Sequence, residues 1–178
     1  MATIKDKKYI LVKNFLSEDE LDLAKNYILI KHKENKQDFD LVKNNNCDSI
    51  FYKDPFGEAL LYKKISLMED KTGLKLFPTY SFSRFYTYNS ELKKHTDRPS
   101  CEISVTIMLG SDGTEWPIFM NNNPIHMNPG DACIYLGCDL VHYREHFKGD
   151  WHAQCFLHYV DQNGPHKDHK YDQKVYSI

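Results

Sequence analysis

A mainly β domain, a β-sandwich or barrel with helical support, is what the order of patterns along this chain predicts. Two helical patterns come first and end at Gly73. From Leu74 the periodicity changes to short alternating segments separated by Gly, Pro and Asn turns. Many short strands with turn signals between them belong to sandwiches and barrels rather than to βαβ units. At 178 residues the chain suits one domain with a substantial core. It divides into helical support (1–73), a β core (74–161) and a polar tail (162–178).

Each element has its own signal. Tyr9 to Phe15 is a short strand. Ser17 stands three residues before Glu20, the spacing of a capping box, and opens a helix through Lys33. Leu21, Leu23, Ala24, Tyr27 and Ile28 give that helix one apolar side. Residues 34–49 are polar, with Asn44, Asn45 and Asn46 in a row, and read as a loop. Asp54-Pro55 caps a second helix that runs to Thr72, with Gly73 as its stop. Leu60, Leu61, Ile65 and Met68 face the sheet. In the strand Thr79 to Tyr88, alternation puts Tyr80, Phe82, Arg84, Tyr86 and Tyr88 on one face. Cys101 to Leu109 is a strand stopped by Gly110-Ser111-Asp112-Gly113. Glu115 to Met120 precedes a turn at Asn121 to Pro124, and Pro129-Gly130-Asp131 turns into Ala132 to Leu136. Asp139 to Phe147 and Trp151 to Asp161 form the last pair, across Lys148-Gly149. After Gly164 the tail is polar and expected to pack loosely.

Composition excludes several classes. Lys and Arg number 23 against 25 Asp and Glu, a net charge of −2, so there is no basic footprint for nucleic acid. No apolar run approaches membrane-spanning length. The opening residues carry no apolar h-region of a secretory signal. The five cysteines (Cys47, Cys101, Cys133, Cys138, Cys155) lack a C-x-x-C spacing, and several sit inside apolar strand-like runs. Buried free thiols in a reducing, cytoplasmic setting are therefore expected, not disulfides or a zinc knuckle.

The chemistry concentrates in His95-Thr96-Asp97 and His142. A His-x-Asp pair at a strand end offers an imidazole and a carboxylate from one face. A second His arriving 47 residues later completes a three-ligand facial cap with open positions, the pattern of a non-haem Fe(II) oxygenase. With nine histidines a chance His-x-Asp is expected, and His166-Lys167-Asp168 is a second one. It lies in the polar tail with no strands after it to deliver a third ligand, so His95, Asp97 and His142 are the candidate metal ligands.

Over residues 79–161 the chain resembles the 2-oxoglutarate/Fe(II)-dependent oxygenase superfamily, and its prolyl-hydroxylase-like members in particular. The resemblance rests on Arg84-Phe85-Tyr86, His95-Thr96-Asp97, Pro129-Gly130-Asp131 and His142-Tyr143-Arg144. It implies a double-stranded β-helix (jelly roll, cupin-like) preceded by two N-terminal helices. It also implies Fe(II), 2-oxoglutarate as cosubstrate and O2, with hydroxylation of a substrate C–H bond giving succinate and CO2. Prolyl hydroxylases commonly carry a Tyr nine residues before the proximal His, and Tyr86 stands there. The family places Arg or Lys about ten residues past the distal His to hold the far carboxylate of 2-oxoglutarate; here that residue is His152.

A carboxylate pointing into a poorly solvated barrel needs a partner, and a guanidinium is the best one. The chain has three arginines, Arg84, Arg98 and Arg144. If residues 142–146 are strand, Arg144 shares the inner face of His142 and is the first candidate for the anchor. Tyr86 stands beside it, Arg84 in reserve, with His152 and Gln154 on the next strand. Arg98 and Trp116 are candidates for meeting the substrate. The resemblance suggests a peptide or protein residue such as proline as substrate, with a free amino acid or small metabolite as the other choice. The competing class is a non-oxidative, cupin-like metal-binding or carbohydrate-binding jelly roll, since fold alone does not decide function. Oligomeric state is not written in these residues.

Overall fold

Two antiparallel sheets face one another in a computed structural model that describes residues 4–34 and 49–173. The strands are β1 (Tyr9–Val12), β2 (Ser49–Tyr52), β3 (Leu76–Thr87), β4 (Leu92–His95), β5 (Ile103–Ser111), β6 (Ile118–Met120), β7 (Asn123–Ile125), β8 (Ala132–Leu136), β9 (His142–Arg144) and β10 (Trp151–Asp161). The larger sheet has the order β1-β8-β5-β10-β3-β2 and the smaller one β4-β9-β6-β7. From β3 onward the chain passes back and forth between them, which is the winding of a double-stranded β-helix.

That winding corrects one expectation. Residues 139–147 and 151–161 are not paired to each other. β9 lies between β4 and β6, while β10 lies between β3 and β5. The Lys148-Gly149 turn crosses from one sheet to the other instead of closing a hairpin. The segments on either side each need a face turned to the opposite sheet, and only a crossing supplies both. β2 and β7 were not expected at all. β2 follows directly on a polar stretch, and β7 contains Pro124, which an edge strand tolerates; β7 is indeed an edge.

Helices cover the outer face of the larger sheet: α1 (Ile4–Lys7), α2 (Glu18–Glu34), α3 (Pro55–Lys63) and α4 (Ile65–Thr72). Alternation in the strands assigns the two faces. Ile103, Val105, Ile107 and Leu109 of β5 and Ala153, Cys155, Leu157 and Tyr159 of β10 join Ala24, Ile28, Leu60, Leu61 and Met68 in one core. The opposite parity, Ser104 and Thr106 with His152, Gln154, Phe156 and His158, points between the sheets. A bulge between His158 and Tyr159 shifts the pairing of β10 with β3 at this point. The polar character of that inner face is the first sign that the barrel interior is a site and not only a core.

Local chemistry explains the helix ends. Ser17 Oγ accepts from the Glu20 amide (3.2 Å) and Glu20 accepts from the Ser17 amide (2.9 Å), a reciprocal box. Asp54 Oδ1 accepts from the Phe56 amide (3.1 Å). Gly73 closes α4 in the left-handed region (φ 73°). Leu23, expected on the apolar side of α2, is exposed instead.

The second expected helix is divided in two at Lys64, where φ −89° and ψ −2° close α3. The Lys64 ammonium is buried and donates to the Phe15 carbonyl (2.9 Å) and to Glu20 (2.7 Å). It therefore ties the start of α2 to the break. Burial would raise the Glu20 carboxyl, but bonds from Lys64 and the Ser17 amide outweigh it and hold the group low. Three of the expected free thiols, Cys101, Cys133 and Cys155, are buried, and Cys138 is half-buried; Cys47 lies outside the described residues. Among those residues no helix is long and apolar enough to cross a membrane.

Removing a buried ammonium that satisfies a carbonyl and a carboxylate leaves both unpaired. Lys64→Ala is expected to lower unfolding free energy by about 3 kcal/mol, read as a loss of thermal stability. Lys63→Ala, whose exposed ammonium also faces Glu20, should change it by no more than about 0.5 kcal/mol.

Candidate active site

The β4–β9 ladder sets His95 directly opposite His142. Asp97 follows in the turn after β4, and its amide donates to the Gly137 carbonyl at 2.8 Å. The seat is tight. A Cβ on Gly137 would lie 2.1 Å from the Cys101 carbonyl oxygen and 2.5 Å from Asp97 Oδ2. Only glycine permits this approach. Gly137 is a packing requirement of the candidate site that the sequence did not announce, because nothing in a Leu-Gly-Cys turn shows what it packs against.

The three side chains converge. His95 Nε2 is 3.5 Å and His142 Nε2 3.4 Å from Asp97 Oδ1, and the two rings are 4.3 Å apart. Each Nδ1 lies against a backbone carbonyl two residues earlier, Lys93 O for His95 (2.7 Å) and Leu140 O for His142 (2.9 Å). A ring nitrogen facing a carbonyl must carry the hydrogen, so both Nε2 lone pairs are left to turn toward the carboxylate. Three electron-rich atoms so placed suit a divalent metal. Imidazole and carboxylate in a facial arrangement are the donor set of non-haem Fe(II), with Mn(II) close in preference. Burial would raise the Asp97 carboxyl, yet bonds from His142 and His95 hold it well below the carboxylate range. Asp97 in turn raises His95 above its ordinary value.

A second trio, Asp97, Cys101 and His158, is also close enough to share an ion. It is poorly prepared. Burial pushes the Cys101 thiol up to about 12, its Sγ is already 3.0 Å from Tyr80 Oη, and His158 Nδ1 is engaged by Ser104 Oγ (2.8 Å). The tail pair His166 and Asp168 joins no such group among the described residues.

The metal trio opens into a cavity of about 440 Å³. Its walls are aromatic, from Tyr80, Phe82 and Phe156, and it includes Arg84, Arg98 and Tyr52. Tyr52 comes from β2 and so escaped the sequence reading. Phe156 and His158 had a signal, since β10 places them on the same face as His152 and Gln154.

The other expected residues lie deeper. Arg144 is 2 % exposed and points inward from β9, as its parity with His142 requires. It donates to the Trp116 carbonyl and lies 4.9 Å over the Trp116 ring. In the amide orientation that satisfies its neighbours, Gln154 Oε1 accepts from Arg144 Nη2 (3.1 Å) and His152 Nε2 (2.6 Å), while its nitrogen donates to Thr106 Oγ1. Arg144 Nε and His152 Nδ1 are buried with no hydrogen-bond partner. Among the described residues no carboxylate pairs with Arg144, and burial lowers its guanidinium to about 10. Burial likewise drives His152 well below its usual value, so it is neutral. Tyr86 is fully buried, edge-on to Trp116 at 4.9 Å, and Arg84 lies across the β3–β10 ladder from Gln154.

The deeper residues border a second space. Trp116 does not line the cavity of the metal trio. It is packed on Tyr86, Phe147 and His152 and borders a second cavity of about 410 Å³ with Arg144, His152 and Gln154. The indole N–H is spent on the Glu145 carbonyl (2.7 Å). Arg144 likewise borders this second cavity, and the arginines in the metal trio's own cavity are Arg84 and Arg98.

No family model matches this chain, and no curated protein does. Solved structures are similar throughout. An oxidoreductase of the 2OG-Fe(II) oxygenase family from Burkholderia pseudomallei is 15% identical, with 90% of this chain and 88% of that one covered at a TM-score of 0.61. The viral collagen prolyl hydroxylase of Paramecium Bursaria Chlorella virus-1, in its 2OG complex, is 13% identical, with 89% and 98% covered at 0.64. HygX from Streptomyces hygroscopicus, with nickel and 2-oxoglutarate bound, is 8% identical, with 88% and 83% covered at 0.67. The fold is therefore the jelly roll of 2-oxoglutarate/Fe(II) oxygenases.

If this trio is the metal centre, Asp97→Ala removes its only anionic ligand. Mn(II) affinity, followed by electron paramagnetic resonance, should fall at least about a hundredfold with the circular dichroism unchanged. His166→Ala should bind Mn(II) like the wild type, which separates the two His-x-Asp pairs.

Proposed function

We propose that this protein is an Fe(II)- and 2-oxoglutarate-dependent dioxygenase that hydroxylates a C–H bond of an amino-acid substrate. The observation that carries the reading is Arg144. A guanidinium buried without a carboxylate partner is costly in a protein that has no anion to bind. Here it sits two residues beyond a metal ligand, on the same face of β9. A metal trio plus a buried cation a short way inside is what a ligand with both a chelating end and a remote carboxylate requires.

In this reading His95, Asp97 and His142 hold Fe(II). Together with 2-oxoglutarate and O2, the metal supplies the oxidising chemistry that converts C–H to C–OH, releasing succinate and CO2. The chain's own residues have the positioning roles. Arg144 pairs with the far carboxylate, and the Gln154 amide, tied to Thr106 and His152, holds the guanidinium in place. Tyr86 packs beside it, nine residues before His95. Neutral His152 stands where the family's usual cation would be, so the positive charge has moved across the barrel from β10 to β9. Arg84 is close enough to the same region to act as a second contact.

The aromatic cavity on the outer side of the metal trio is the substrate chamber. Prolyl hydroxylases among the similar structures, one crystallised with a peptide fragment of hypoxia inducible factor, support a prolyl or other amino-acid group as substrate, free or in a peptide. The buried free thiols fit a reducing cytoplasmic setting. A carbohydrate-binding module would use neither the open metal cap nor the buried arginine, and a non-oxidative cupin-like metal protein would use the cap without the arginine.

The direct test is conversion of 2-oxoglutarate to succinate that depends on both Fe(II) and O2; its absence from metal-loaded protein would remove the assignment. Losing one member of a buried charge pair costs on the order of 3–5 kcal/mol. Arg144→Ala should therefore weaken 2-oxoglutarate binding roughly a hundredfold or more while leaving Mn(II) binding intact. Arg144→Lys should recover part of it, since an ammonium lacks the bidentate fork. If Arg84→Ala abolishes binding and Arg144→Ala does not, the anchor belongs to β3.

A further inference from the structure

Beyond the metal and cosubstrate residues, one cluster at the mouth of the chamber has no role in that chemistry. The C-terminal turn, Lys167–Gln173, folds back against β3 and places Asp172 at the rim. Its carboxylate accepts from Arg98 Nη1 (2.9 Å), from Ser100 Oγ (3.0 Å) and from the Tyr52 hydroxyl. Arg98 and Tyr52 both line the cavity that contains His95, Asp97 and His142. The Arg98 guanidinium also lies over the Tyr80 ring at 4.6 Å. A tail expected to pack loosely is thus inserted by one acidic side chain into a three-donor pocket.

Two features bear on what this contact does. The backbone that delivers Asp172 is strained: Tyr171 and Asp172 are consecutive left-handed residues with φ 55° and 53°, a conformation costly without glycine. Arg98 lines the chamber beside Asp97, and the carboxylate paired with it is Asp172 of the tail, so that displacing Asp172 leaves a guanidinium that favours an anion. Phe82 and Phe156 give the same cavity apolar walls.

We propose that Tyr52, Arg98 and Ser100 form a recognition site for the carboxylate of the substrate, and that Asp172 of the chain's own tail fills it until substrate arrives. The ligand class is a small apolar amino-acid body bearing a free carboxylate, either a free amino acid or a peptide C-terminus. The proposal rests on the reading of the chamber as the substrate site. A substrate carboxylate would take the guanidinium of Arg98 in a bidentate pair, the Tyr52 and Ser100 hydroxyls would complete its shell, and the tail would be released. The tail then acts as an internal competitor that keeps the chamber closed to neutral molecules.

The experiment uses the full chain without added metal or 2-oxoglutarate, so it does not depend on turnover. N-acetyl-L-proline, its amide, L-proline and propionate are titrated by calorimetry against wild type, Asp172→Ala and Arg98→Ala/Asp172→Ala. Trypsin cleavage after Lys170 reports release of the tail. Asp172→Ala should bind N-acetyl-L-proline at least tenfold more tightly than wild type, should discriminate against the amide, and should lose this gain when Arg98 is also removed. N-acetyl-L-proline, but not the amide, should speed cleavage of the wild-type tail. L-proline binding better than N-acetyl-L-proline assigns a free amino acid, and the reverse assigns a peptide end. Acid and amide binding alike, or no gain for any carboxylate including propionate in Asp172→Ala, overturns the proposal and leaves Asp172 as a fastening. If the carboxylate-selective gain appears but no 2-oxoglutarate is consumed, the rim site stands and the hydroxylase reading fails. Consumption of 2-oxoglutarate without that gain keeps the hydroxylase and removes the rim site.

Discussion

The 2.8 Å hydrogen bond from the Asp97 amide to the Gly137 carbonyl ties the turn after β4 to the turn after β8, and so joins the two sheets at the point where the metal trio forms. Gly137 also receives the Asp97 side chain at a distance that no Cβ would allow. With Asp97 so seated, the β4–β9 register does the rest, because it sets His95 across from His142. Neither histidine is chosen by its own strand. Each is held by its Nδ1 on a carbonyl two residues back, and this leaves Nε2 to face the carboxylate. The position of all three donor atoms is thus set by contacts within the protein itself.

The interior between the sheets is where this protein departs from an ordinary sandwich. Ser104, Thr106, Gln154, His158, His152 and Arg144 are all buried there. Such groups stabilise nothing unless they are satisfied, and most of them are, through Ser104 to His158 and Thr106 to Gln154 to Arg144. The buried atoms left over, Arg144 Nε and His152 Nδ1, lie together at the deep end. A core built for stability would have placed aliphatic side chains at these positions. The opposite parity of the same strands, packed under α2, α3 and α4, shows that the sequence is able to do so.

At the outer end, charge is balanced differently. Arg98 meets Asp172 from the tail and Arg84 lies near the Phe82 and Tyr86 rings. The three arginines are thus spread along one line of chemistry, from the mouth through the chamber to the deep pocket. Each stands within two residues of Tyr86, Asp97 or His142 in sequence. Proximity in the chain alone could not say which of them looks inward past the metal and which looks outward to solvent.

Patterns with a local physical cause were legible in the sequence. The capping box at Ser17 and Glu20, the Asp54-Pro55 start and the Gly73 stop depend on a few neighbouring residues, and so did the strands Ala132–Leu136 and Trp151–Asp161. The meeting of His95, Asp97 and His142 was legible too, because the His-x-Asp pair is followed by strands that deliver a later His. Pairing and facing were decided only by the tertiary structure. Whether 139–147 joins 151–161 or crosses away from it depends on sheet closure, which no single segment encodes. That Trp116 packs on Tyr86, Phe147 and His152 and gives its N–H to Glu145 depends on residues from three other segments. The long helix divides at Lys64, whose ammonium meets Phe15 and Glu20, residues more than forty positions away. Gly137 and Asp172 carried no readable signal, because what each does is set by groups far off in the chain: Asp97 for the one, Arg98 and Tyr52 for the other. Local sequence determines which chemistry is available, and long-range packing determines where it points.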